Sequence, residues 1–104
     1  MANQETPLDA VVVNGASGWY DLSDDSSLIV YFVGAGTAAG SCYIDLKDPD
    51  DNAIRIHTEA FAGDGTKGVQ LDGKKGLYHQ FRVGVEARTG GNFTASFRSS
   101  RDPR

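Results

Sequence analysis

Apolar and polar positions alternate with period two along nearly the whole chain, the pattern of strands that bury one face. No stripe of helical period competes with it. The alternation predicts strands over 9–13, 17–22, 27–33, 41–47, 53–61, 66–71, 77–88 and 93–98. The 27–33 run is apolar on both faces and reads as a central strand, or as one whose outer face meets a partner. In 41–47, Cys42, Ile44 and Leu46 share one face, and Ser41, Tyr43, Asp45 and Lys47 the other. In 53–61, Ile54, Ile56 and Thr58 oppose Arg55, His57 and Glu59. The longest run, 77–88, points Leu77, His79, Phe81, Val83, Val85 and Ala87 inward, with Gly84 as a bend.

Turn formers separate these runs. Asn14-Gly15 predicts a hairpin joining 9–13 to 17–22. The segment Asp48-Pro49-Asp50-Asp51-Asn52 reverses the chain, because proline presets φ while Asp and Asn bond back to nearby amides. Gly63-Asp64-Gly65, Asp72 to Gly76 and Thr89-Gly90-Gly91-Asn92 mark further turns. The expectation is an all-β protein, a single antiparallel β-sandwich of jelly-roll or Ig-like type with seven or eight short strands. Strand order stays open. Residues 1–6 read as an N-terminal arm, 7–98 as the sandwich core and 99–104 as a polar tail.

Composition narrows the class. The 104 residues make one domain, and 13 glycines with 39% hydrophobic residues fit a turn-rich globular protein. The longest apolar run, Leu28 to Val33, has six residues against the roughly 20 that span a bilayer, so no membrane partner is expected. The first residues have neither a positive stretch nor an apolar one, so no secretory signal is expected. The single Cys42 cannot form an internal disulfide and fits a reduced compartment.

Charge is more informative divided than summed. Residues 1–66 hold eleven acids and two bases, a net of −9, whereas residues 67–104 hold eight bases and three acids, a net of +5. The bases are scattered and the acidic half opposes phosphate, which argues against nucleic acid. Attraction between copies, acidic side to basic side, is the reading the split favours.

Candidate chemistry is sparse. Gly34-Ala35-Gly36-Thr37-Ala38-Ala39 spells a dinucleotide fingerprint, but an alternating strand follows where the motif needs a helix, so a glycine-rich strand connection is expected and no cofactor. Asp48, Asp50, Asn52 and Glu59 occupy positions 1, 3, 5 and 12 of a calcium loop, where alternating oxygens can converge on a hard cation. Against calcium, Ala53 replaces the turn glycine, Pro49 stiffens the loop and the flanks read as strands; a solvated acidic turn is the competing reading, and any calcium would be weak and structural. His57 and His79 lack a catalytic companion, Cys42 lies on an apolar face, and no nucleophile elbow is present. No catalytic residue is assigned and no enzyme is expected. Trp19, Tyr31, Tyr43 and Tyr78 are the candidate partner-binding aromatics, suited to a protein interface or to stacking on sugar rings.

Residues 17–98 resemble the small all-β structural proteins of tailed bacteriophages. The resemblance is carried by Ser17-Gly18-Trp19-Tyr20-Asp21-Leu22, by the Asp48–Asn52 turn, and by the closing runs Gly76 to Val83 and Gly91 to Phe97. It implies a non-enzymatic capsid decoration (cement) protein located in the virion, binding the major capsid protein and itself, with a trimer favoured. It carries over no site residues. The alternative is a carbohydrate- or receptor-binding sandwich on a head fibre or tail.

Overall fold

A computed structural model describes residues 2–21, 27–47, 50–72 and 80–100. They form seven strands: β1 (Ala2–Val11), β2 (Gly15–Ala16), β3 (Tyr20–Asp21), β4 (Ser27–Lys47), β5 (Ala53–Ala62), β6 (Gly65–Asp72) and β7 (Gln80–Ser100). All pairings are antiparallel. Two pairs of expected strands turn out to be continuous. The 27–33 and 41–47 runs are the halves of the 21-residue β4, and the 93–98 run and the described part of the 77–88 run, from Gln80, fall along the equally long β7.

β4 and β7 pair with each other almost end to end, from Ser27↔Ser100 to Leu46↔Phe81. β1 lines the C-terminal half of β7, and β2 and β3 line its N-terminal half. β6 lines the first half of β4 and β5 the second. The result is a sheet four strands wide, folded in half. Two rings of one strand prove the fold: Phe81 and Phe97 would lie about 53 Å apart in an extended strand, yet their centroids are 4.8 Å apart in a T-shaped contact. One layer therefore holds β1, the end of β7, the start of β4, and β6. The other holds β2 with β3, the start of β7, the end of β4, and β5. Counted by halves, this is the eight-segment jelly-roll arrangement.

The reason for folding lies in the pattern. Along β4, the even-numbered Leu28, Val30, Phe32, Ala38, Cys42 and Ile44 are buried. Along β7 the buried side chains are the odd-numbered Phe81, Val83, Val85, Phe93, Ala95 and Phe97. One face of the whole sheet is apolar from end to end, and doubling it over buries that face against itself as one core, which also takes in Leu8 and Phe61.

The crease is where strands must bend sharply. Left-handed backbone gathers there: Ala10, Gly36, Thr37, Ala87 and Gly91 have φ between 50° and 73°. Gly91 is obligatory, since a Cβ would sit 2.5 Å from the Ala35 carbonyl oxygen and 2.6 Å from Ala38 Cα. Side chains take over where the ladder breaks. Asp64 Oδ1 accepts from the Ala38 amide at 2.9 Å, Asn14 Oδ1 accepts from the Arg88 amide at 2.9 Å, and Arg88 Nε donates to the Gly91 carbonyl at 2.7 Å.

Several expectations change. Asn14-Gly15 does not close a hairpin; it lies at the crease, with β1 and β2 both paired to β7 in different layers. The 93–98 run pairs with β1 and β4, and Thr89 to Asn92 are crease rather than turn. Residues 2–6 of the expected N-terminal arm belong to β1, which pairs with β7. The division at residue 66 does not produce an acidic and a basic side, because β7, from the basic part, runs between β1 and β4 of the acidic part. His79, with Leu77, Tyr78 and Asp48, lies outside the described residues.

Candidate functional site

The outer face of the second layer carries a cluster that its strand alternation alone would leave in solvent. Asp45 points outward from β4 yet is only 2% exposed. Two guanidinium groups from flanking strands cover it. Arg55 Nε of β5 donates to Asp45 Oδ1 at 2.6 Å, and Arg82 Nε of β7 donates to Oδ2 at 2.9 Å. Arg55 Nη1 also donates to Glu86 Oε1 at 2.7 Å. The ladder places them so, since Asp45 is in register with Arg55 on one side and Arg82 on the other.

Each arginine also stacks on a ring. The Arg55 guanidinium carbon lies 3.6 Å from the centre of the Tyr43 ring, and that of Arg82 lies 4.7 Å from the centre of Trp19. Lys47 Nζ stands 4.7 Å from the same indole. Such contacts contribute about 0.5–1 kcal/mol when exposed and more when desolvated. Desolvation pulls the Arg55 guanidinium pKa down, but the hydrogen bond and charge of Asp45, with Glu86, outweigh it and hold it above the ordinary value. Trp19 is fixed by the segment between β2 and β3: the Ser17 amide donates to the Val83 carbonyl at 2.7 Å, and the Val83 amide donates to Ser17 Oγ at 3.2 Å. Gly84 leaves room for Tyr43, because a Cβ there would fall 2.3 Å from the phenol carbon and oxygen.

The aromatic candidates therefore separate. Trp19 is half-buried between two cations, and Tyr43 is 7% exposed beneath Arg55, so its ring offers no platform. Tyr31, 36% exposed on the first layer beside Gly68, keeps an open ring. Tyr78 lies outside the described residues.

Of the described members of the calcium set, Asp50 and Asn52 do not meet Glu59. Asp50 and Asn52 are exposed in the turn before β5, whereas Glu59 lies seven residues beyond Asn52, about 23 Å along an extended strand. Its carboxylate is engaged by His57 Nε2 at 3.1 Å and Lys67 Nζ at 3.4 Å. Asp48 is outside the described residues, and no cluster of three potential metal ligands occurs among the described ones. The fingerprint Gly34 to Ala39 is strand and crease of β4.

His57 and Glu59 also exchange faces relative to expectation. A bulge falls between the pairs Ile44↔His57 and Asp45↔Arg55, so Arg55 stays outward while His57, Glu59 and the buried Phe61 turn to the inner side of the edge strand. Cys42 is fully buried; desolvation, and then the Glu59 charge, push its thiol up to about 12, so it is inert as a nucleophile. A shallow open depression of about 300 Å³ is lined by Phe61, Gly63, Asp64 and Lys67.

No protein-family model and no curated protein sequence matches the chain. Solved structures do. The crystal structure of the SPBc2 prophage-derived protein YomS aligns over 96% of this chain and 94% of its own, with a TM-score of 0.72 at 13% identity. A chain of infectious bursal disease virus, Gx strain, aligns at a TM-score of 0.55 and 14% identity, with 97% of this chain covering 32% of the viral one. A mutant of CBM29-2, a family 29 carbohydrate-binding module, aligns at 0.51 and 12% identity over 97% and 93% of the two chains. The shared property is the fold.

Proposed function

We propose that this chain is a non-enzymatic virion structural protein, a capsid decoration protein that binds the outer surface of the major capsid protein and stabilises the lattice. The observation that carries the reading is the end-to-end match, in both directions, with a prophage-derived protein. The phage-type strand motifs in the sequence support it. The contact face is the outer side of the second layer, where Trp19, Arg55 and Arg82 present a rigid, pre-ordered patch of the residue types that dominate binding hot spots. Affinity on a capsid comes from repetition of modest contacts, and a trimer adds to it.

The carbohydrate-binding alternative needs a bare ring face. Two of the described candidates are capped by cations, which disfavours it on this layer. The test adds purified protein to capsids that lack it. We expect binding and a gain in heat resistance, with Trp19→Ala weakening binding by about thirtyfold, the 2 kcal/mol typical of an interface hot spot. Absence of binding, or bound capsids no more heat-resistant than bare ones, defeats the proposal.

A further inference from the structure

At the β5–β6 edge the two layers end side by side, and among the described residues neither strand has a further neighbour. Charged groups occupy inner-facing positions there. Glu59 stands in register with the buried Cys42, and Lys67 in register with the buried Phe32. Glu59 belongs to one layer and Lys67 to the other, so their 3.4 Å ion pair spans the gap between layers. His57 holds the other carboxylate oxygen at 3.1 Å, and Lys67 Nζ lies 5.5 Å from the centre of the Phe61 ring. The groups facing Glu59 are thus His57 from its own strand, Lys67 from β6 and Cys42 from β4.

We propose that Glu59, Lys67 and His57 form an electrostatic clasp that holds the open edge of the sandwich shut and controls access to its interior at Cys42. The pair is partly exposed, so salt screens it. The His57 hydrogen bond does most to hold the Glu59 carboxyl below the usual carboxylate range; desolvation opposes it, and Lys67 adds to the lowering. A lowered carboxyl stabilises the folded edge at neutral pH, and that contribution is lost as pH falls through its folded value, below the ordinary carboxylate range. Acid and salt therefore both loosen this edge. The clasp is independent of the virion role and stands or falls without it.

Cys42 is the sole cysteine, so its modification reports the opening directly. The experiment follows its labelling by 4,4′-dithiodipyridine in the intact protein, normalised to a free thiol in the same buffer. At neutral pH and low salt the wild type should label slowly, and severalfold faster in 1 M salt. Glu59→Gln and Lys67→Gln should each label severalfold faster at low salt and respond little to salt. Trp19 fluorescence, read in the same samples, must stay native. Equal labelling of wild type and both variants, or faster labelling seen only where the Trp19 signal is lost, overturns the clasp.

Discussion

Gly84 shows how one residue can decide a surface. It faces Tyr43 across the β4–β7 ladder, and the phenol occupies the space a side chain would need. A Cβ at this position would also lie 2.8 Å from the Gly15 carbonyl oxygen, a backbone atom that cannot swing away. Gly84→Ala should therefore cost about 1–3 kcal/mol, the usual range for overpacking, measured by urea denaturation. Because Tyr43 carries Arg55, and Arg55 covers Asp45, the same change should disturb the outer cluster. The sequence suggested only a bend at this glycine, since a space-filling reason for it exists only once Tyr43 is known to be its cross-strand neighbour.

At the scale of elements, long strands that bend replace short strands joined by turns. β4 and β7 must each cross the crease, and the crossing leaves amides without ladder partners. Asp64 and Asn14 supply the acceptors from opposite edges of the sheet. Asp64→Ala and Asn14→Ala should each destabilise by about 1 kcal/mol, the net worth of a hydrogen bond, and the double variant reads whether the two crease sites are coupled. A double loss well below the sum would show that the crease strands rearrange together. The edge strand β5 is shaped by its bulge. Bulges and inward charges keep such an edge from pairing with other chains, and β5 has both while leaving Ile54 and Ile56 in solvent.

For the whole molecule, pairing is remote in sequence. The start of β1 pairs with the end of β7, Ala2 with Ser100, and the central ribbon joins Ser27 to the same residue. Little of this can form before distant segments meet, and loop closure must be paid before contacts return it. Refolding from denaturant should fall in the millisecond-to-second range of non-local β proteins, read by stopped-flow fluorescence of Trp19. A microsecond phase carrying the full amplitude would contradict the described topology.

The sequence by itself determined the all-β class, the inner face of the second half of β4, the inward Phe81, Val83 and Val85 of β7, and the burial of Cys42, because side chains alternate strictly in a strand and the apolar set must be buried. Ala87, expected inward, is exposed at the crease. Only the tertiary structure decided that glycine-rich connections are a crease, that the first residues are a paired strand, and that a bulge turns Glu59 inward. The Asp45–Arg55 contact was half legible, being a pairing across one turn. Arg82, 37 residues away, could join it only through strand order. Alternation is a local property of the chain, whereas neighbours across a sheet are set by which distant segments bury the most apolar surface together.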